Sequence, residues 1–152
     1  MPLVKVSPPK DDDEYFERMT KSIFTAGLNW GVVDKKWPGF RTAFDDFSIA
    51  KVAGFPGSRI HELTQNTGIV RNEKKIVATV HNAQEMIKVG KEFGSFKKYL
   101  DSFTKDEAGL QEDLQERFEH LGASTSRMFL WSVGYPLTPN AEEKKWLAAH
   151  KD

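Results

Sequence analysis

The chain has 152 residues, 39% of them apolar and 29% charged, which predicts one globular domain and excludes a mainly disordered chain. The formal net charge is zero and the pI is about 6.9, so any binding of nucleic acid must depend on a local basic patch. Cysteine is absent, which excludes disulfides, thiolate catalysis and thiolate zinc sites, and the four histidines show no metal-binding spacing. We therefore expect neither a metal nor another cofactor.

The start of the chain predicts an extended arm followed by a single domain. Residues 1–10 contain three prolines and precede a domain that we expect to span residues 11–152. No apolar run approaches the ~18 to 20 residues of a membrane span, and the start lacks the apolar core of a signal peptide. We therefore expect a monomer in the cytoplasm with no membrane partner.

The first half of the domain is predicted to form several short helices. Asp11 to Asp13 place an N-cap and favourable negative charge at the start of the first helix. Its apolar face contains Phe16 and Ile23 at helical spacing. The starts of the next three helices are assigned to Pro38, Ser48 and Ser58.

The second half shows the same helical periodicity. A long amphipathic helix to about Gly90 is predicted by four apolar residues at i, i+4, i+7 and i+11, which are Ile76, Val80, Ala83 and Ile87. "SFKKYLDSF" predicts a short helix, and Leu110 to Leu121 another. "STSRMFLWSVG" predicts a buried helix, and Asn140 with Glu143 predicts a capping box at the start of the last one. Because no segment alternates with period two, we predict a single all-α domain of many short helices.

A helix-hairpin-helix motif is predicted around "SRIHELTQNTGIVRNEKK". We expect Gly68 to allow a positive φ and a close backbone approach, with a second helix starting near Asn72. The N–H groups at that start can bind a phosphate oxygen, and Arg71, Lys74 and Lys75 add positive charge beside it. An ordinary turn with solvated basic residues is the alternative interpretation.

A second candidate is "AGLNWGVVDKKWPGFR". Gly27 and Gly31 predict that the first helix ends here and that Trp30 lies in a loop, where its indole can stack on an extruded base. The alternative is that Trp30 and Trp37 both anchor the core, as most tryptophans do.

Four segments occur in a characteristic order between Tyr15 and Tyr135: "AGLNW", "VVDKKWPGFRTAFDDFSIAKVA", "QNTGIVRNEKKIVATVHNA" and "LGASTSRMFLWSVG". Together they resemble the bacterial 3-methyladenine DNA glycosylase I family of the helix-hairpin-helix superfamily. The resemblance implies a monofunctional glycosylase that acts in base-excision repair. Such an enzyme flips a damaged adenine from duplex DNA and hydrolyses its N-glycosidic bond, so the expected partner is duplex DNA with alkylated bases.

The resemblance also implies roles for individual residues. Trp30 matches the base-stacking tryptophan of the family. Five residues match its DNA-anchoring hairpin, namely Thr67, Gly68, Val70, Arg71 and Lys75, and Lys74 lies beside them. The acid that the family has eight positions before the tryptophan is Ser22 here. The family's terminal zinc ligands are also absent, as is its amino-terminal segment with a base-contacting tyrosine.

These departures leave three interpretations. The first is a zinc-free glycosylase whose base pocket is lined by Trp30, Asn29, Ser22 and Tyr15, with no catalytic residue assigned. The second is a catalytically silent DNA-binding module, and the third is a helical protein that now binds another partner.

Overall fold

The computed structural model describes residues 7–150, and over this range the protein contains nine α-helices, one short 3-10 turn and no strand. The helices are α1 Asp12–Thr25, α2 Trp30–Ala43, α3 Ile49–Ala53, α4 Gly57–Thr64, α5 Glu73–Phe93, α6 Phe96–Asp101, α7 Glu107–Arg117, α8 Ala123–Ser132 and α9 Ala141–Ala149. The predicted all-α fold class is therefore confirmed.

Side-chain caps start most of these helices. Asp11 accepts a hydrogen bond from the Glu14 amide at 2.9 Å, and Ser48 accepts one from the Lys51 amide at 3.4 Å, as predicted. The capping box at Asn140 and its partner three residues later is also present.

Two predicted helix starts are wrong. Pro38 lies inside α2 instead of at its beginning, because Asn29 already caps that helix nine residues earlier. The helix continues through the proline since Val33 and Phe40 bury its inner face, which offsets the one missing backbone hydrogen bond. Ser58 does not cap α4, which begins at Gly57 without any side-chain cap.

The core is rich in aromatic rings. Trp37 lies against two of them, with ring centroids 4.8 Å from Phe40 and 5.2 Å from Phe47. On α5 the predicted face is correct except at Ile87, which is 36% exposed while Met86 is 3% exposed. The buried face of α5 continues through Met86 and Val89, so Ile87 faces solvent.

Arginine side chains attach both ends of the described chain to α8. The guanidinium of Arg18 donates to the carbonyl of Ser7 at 2.7 Å and also to the carbonyl of Ser132. Arg127 donates from Nε to the carboxylate of the fully buried Glu143 on α9 at 2.9 Å. Residues 1–6 of the predicted arm lie outside the described residues. Within the described range, no helix is both long and apolar enough to cross a membrane.

Candidate DNA-binding and base-recognition site

The predicted helix-hairpin-helix motif is formed by α4, a turn over residues 65–72 and α5. The side chain of Asn72 caps α5 by accepting from the Lys75 amide at 3.1 Å. Asn66 accepts from the Gly68 amide at 2.8 Å and shapes the turn. Ile69 is 2% exposed, so it fixes the turn to the core while its neighbours stay at the surface.

Gly68 does not have the positive φ that we expected. In the described part of the chain the glycines with positive φ are Gly27, Gly94 and Gly134. The close approach instead requires a glycine at the facing position of α2: a Cβ added to Gly39 would lie 2.3 Å from the carbonyl oxygen of Gly68, whereas one added to Gly68 would meet only the Asn66 side chain, at 3.0 Å. The hairpin turn is therefore packed directly on the backbone of α2.

The three basic residues of the hairpin fall into two groups. Arg71 and Lys74 are exposed and form no salt bridge within residues 7–150. Lys75 is partly buried, and its Nζ donates to the carbonyl of Ala26 at 2.9 Å. Burial lowers the pKa of Lys75. Two of the three cations thus face solvent, and the third binds the protein itself.

Trp30 is the first residue of α2 and not a loop residue, which corrects our expectation. Asn29 caps the helix, with its side-chain oxygen accepting from the Gly31 amide at 2.8 Å. This cap draws the helix start back to the tryptophan, whose side chain nevertheless stays 40% exposed. Trp37 is only 5% exposed, so the core-anchor interpretation applies to it and not to Trp30.

Two exposed apolar side chains lie within two residues of Trp30 in the chain. Leu28 is 45% exposed and Val32 is 47% exposed. Sequence reasoning did not select these residues, although a leucine in an otherwise polar loop beside Gly27 was a usable signal. Apolar side chains beside basic ones are the composition that lets a protein enter a DNA groove and unstack bases.

The remaining candidate pocket residues lie on α1. Ser22 and Tyr15 are seven residues apart, which places them on one side of the helix and about 10 Å apart along its axis. Ser22 is 4% exposed and its hydroxyl donates to the Arg18 carbonyl at 3.0 Å. Tyr15 is buried against Phe96 with ring centroids 5.1 Å apart, and this burial raises the pKa of its hydroxyl.

Glu17 makes contacts that sequence reasoning did not predict. Its Oε2 accepts from the Trp37 indole N–H and from the Arg41 Nε–H, each at 2.8 Å. The carboxylate therefore fixes α2, and with it Trp30, to α1. No local signal identified this contact because the partners are 20 or more positions apart.

The tertiary structure brings the two candidate stretches together. Lys75 and Ala26 are 49 positions apart in the chain, yet their contact joins the hairpin to the end of α1. A second contact runs from the Lys36 ammonium on α2 to the Thr67 carbonyl at 3.1 Å. The hairpin and the Trp30 segment therefore form one continuous surface.

The zinc site implied by the resemblance does not fit this chain. Cysteine is absent from the sequence, and residues 7–150 contain no group of three or more histidine, aspartate or glutamate side chains placed to hold a metal ion. The contacts of Arg18 and Arg127 join the ends of the described chain to α8 without a metal.

Comparison with known proteins decides the family. A sequence model of the methyladenine glycosylase family matches residues 6–128, which include the hairpin and the Trp30 segment. The chain belongs to the methyladenine glycosylase family.

Individual members of the methyladenine glycosylase family agree with this assignment. The DNA-3-methyladenine glycosylase of Haemophilus influenzae is 29% identical over 147 residues, covering 84% of this chain and 80% of that protein. DNA-3-methyladenine glycosylase 1 of Escherichia coli is 31% identical over 96 residues, covering 63% of this chain and 51% of that protein. The solved structure of 3-methyladenine DNA glycosylase I from Staphylococcus aureus superimposes with a TM-score of 0.77 at 30% identity, covering 85% of this chain and 79% of that one.

Proposed function

We propose that this protein is a DNA-3-methyladenine glycosylase I-like enzyme, which flips an alkylated adenine from duplex DNA and hydrolyses its N-glycosidic bond in base-excision repair. The observation that carries the proposal is the single surface on which the basic hairpin and the exposed Trp30 lie together. Membership of the methyladenine glycosylase family supports it. We further propose that the enzyme is cytoplasmic and acts as a monomer. Sedimentation of the purified protein tests its oligomeric state.

The hairpin is the proposed anchor for the DNA backbone. Arg71 and Lys74 are exposed, so their charges are available to phosphate oxygens. Thr67 and Gly68 of the turn are exposed and Val70 is partly buried, and we propose that their backbone meets the phosphates. The first N–H groups of α5 have no partner within that helix. These contacts bind any duplex sequence, because phosphates carry no base information.

Trp30 is the proposed stacking partner of the extruded base. Stacking contributes about 1 to 3 kcal/mol per base and offsets the few kcal/mol that flipping costs. Asn29, Ser22 and Tyr15 are the proposed neighbours of that base on α1 and at the start of α2.

The chemistry demands little from the protein. A base alkylated at N3 is cationic, so it leaves as a neutral molecule with the bonding electrons and needs no protonation. Water adds to C1′ of the sugar and releases a proton. Correct placement of base and water is then the main contribution of the enzyme.

Release of free base from alkylated duplex DNA tests the proposal. We expect the wild type to release 3-methyladenine and Trp30→Ala to lose most of this activity while still binding duplex DNA. Trp146→Ala is the matched control, since Trp146 of α9 is also partly exposed but stacks on His150, the residue that follows this helix. That variant should keep wild-type activity.

The other interpretations give different results in the same assay. No base release together with salt-sensitive duplex binding identifies a catalytically silent DNA-binding module. Absence of both base release and duplex binding identifies a helical protein with another partner. Either result contradicts the proposed enzyme.

A further inference from the structure

Lys75 differs from the other cations of the hairpin in what it touches. Its Nζ lies 2.9 Å from the carbonyl oxygen of Ala26, whereas Arg71 and Lys74 have exposed side chains. Its backbone is fixed as well, because its amide donates to the Asn72 cap at 3.1 Å. Both the backbone and the side chain of this lysine are therefore held by the protein, and its ammonium is engaged with the Ala26 carbonyl.

The partner of Lys75 is the end of α1. The last turn of α1 contains no basic residue of its own, although helix C-termini are stabilised by positive charge. Lys75 supplies that charge from α5. Ala26 caps α1 and is followed by Gly27 with φ +76°, after which the chain reaches Trp30 within three residues. The position of Ala26 thus helps to determine where α2 and its tryptophan begin.

Two further contacts connect the hairpin to α2. The ammonium of Lys36 donates to the Thr67 carbonyl at 3.1 Å. Gly39 lies so close to the Gly68 carbonyl that a Cβ at residue 39 would be 2.3 Å from its oxygen. Lys36 and Gly39 of α2 thus contact the hairpin turn, and Lys75 of α5 contacts the end of α1. The hairpin and the segment that leads into α2 therefore cannot shift independently.

We infer that Lys75 is a positioning residue for base release, an inference that rests on the proposed function. Its ammonium holds the segment that leads into Trp30 against the hairpin. Phosphates bound at Arg71 and Lys74 therefore fix the place at which Trp30 meets the extruded base. Lys75 itself makes no contact with DNA.

Three measurements on single substitutions test this inference. Lys75→Met removes the ammonium and keeps most of the apolar stem, while Lys74→Met does the same at the neighbouring exposed position. Fluorine NMR of fluorotryptophan-labelled protein without DNA reports the environment of Trp30, whose resonance is assigned with Trp30→Phe. The other measurements are the salt dependence of duplex binding and the rate of base release in a single turnover at saturating enzyme.

For Lys75→Met we expect the Trp30 resonance to move and the single-turnover rate to fall about tenfold or more, because small misplacements of reacting groups are costly. The salt slope of duplex binding should stay at its wild-type value. Lys74→Met should instead lower that slope by about 0.9 and leave the Trp30 resonance in place. Lys88→Met, on the exposed side of α5, should leave all three readouts unchanged.

Two more variants keep the test decisive. Lys75→Arg keeps a cationic donor, and we expect it to restore most of the rate that Lys75→Met loses. If Lys75→Met does not fold, Lys75→Gln takes its place, since it is polar but too short to reach Ala26. The resonances of Trp37, Trp131 and Trp146 report the fold in each variant.

The inference is overturned if Lys75→Met lowers the salt slope as Lys74→Met does, or if it leaves both the Trp30 resonance and the rate unchanged. Failure of the proposed function is a different result, because the wild type then releases no base. The fluorine spectrum of the DNA-free protein still reports in that case whether Lys75 holds Trp30.

Discussion

At the contact between α2 and the hairpin, the absence of a Cβ at Gly39 determines how closely the two elements pack. A Cβ on Gly39 would lie 2.3 Å from the Gly68 carbonyl oxygen, far inside contact distance. The obstacle is a backbone atom and not the end of a flexible side chain, so the backbone itself would have to move to relieve the clash. The hairpin is held close to α2 only because residue 39 has no side chain.

Gly39→Ala should therefore destabilise the protein and displace the hairpin. We expect the free energy of unfolding to fall by about 1 to 3 kcal/mol, which is typical of overpacking, as measured by urea denaturation. Gly57→Ala is the matched control: nothing lies within 4 Å of a Cβ added at that position, and we expect a gain of about 0.4 to 1 kcal/mol. Equal effects of the two substitutions would contradict the packing argument.

The exposed charges of the hairpin support a second prediction at this scale. Replacing Arg71 and Lys74 together by alanine should reduce the salt slope of duplex binding by about 1.8, since each phosphate contact contributes about 0.9. Binding titrations at several salt concentrations measure this slope. Alanine at both Lys88 and Lys91 removes the same charge from the far end of α5. If that control lowers the slope equally, net charge and not the hairpin determines binding.

At the scale of elements, helices in this protein stabilise one another at their ends. The carboxylates of Asp12 and Asp13 at the start of α1 accept from the Phe96 amide of α6 at 3.1 Å and the Ile49 amide of α3 at 3.0 Å. Short helices have weak intrinsic stability and depend on contacts with the rest of the protein, to which each such cap adds about 1 kcal/mol. The start of α1 therefore organises three helices at once.

Asn29 caps α2 next to Trp30 and is also a proposed neighbour of the extruded base. Two substitutions distinguish these roles. Asn29→Ala should lower the free energy of unfolding by about 1 kcal/mol and reduce base release, because the helix start frays. Asn29→Asp caps about as well as asparagine, so it should keep stability but lower base release, because it removes the amide N–H groups beside the base. Normal stability of Asn29→Asp with unchanged base release would instead show that Asn29 acts only as a cap.

At the scale of the whole molecule, a buried ion pair attaches the last helix. Glu143 is fully buried and bound by Arg127, whose side chain is 15% exposed. The hydrogen bond from Arg127 lowers the pKa of Glu143 below its usual range. Breaking such a pair leaves an unpaired buried charge, so α9 depends on this contact for its attachment to α8.

Glu143→Gln should lower the free energy of unfolding at pH 7 by about 3 kcal/mol. Because the folded-state pKa is depressed, the carboxylate stabilises the protein above the ordinary glutamate pKa of about 4.3 and loses this effect as the pH falls through the lower folded value. The difference from wild type should therefore shrink between pH 7 and pH 3.5 in urea denaturation. Glu142→Gln, at an exposed neighbour, should change stability by less than about 0.5 kcal/mol at either pH.

Several features of this protein follow from the sequence by itself. Asp11 and Asn140 predicted helix starts correctly, and the hairpin around Gly68 was predicted in its place. Apolar spacing predicted most of the buried face of α5. These features depend on residues within a few positions of one another, where helix geometry alone determines the neighbours.

Other features were decided only by the tertiary structure. Lys75 meets Ala26 from 49 positions away, and Glu17 meets Trp37 from 20. The close contact of Gly39 with the hairpin also joins separate elements. No local pattern encodes such partners, because they depend on how completed helices pack against each other. The sequence therefore determined which pieces this protein has and to which family it belongs, while packing decided that the hairpin and Trp30 share one surface.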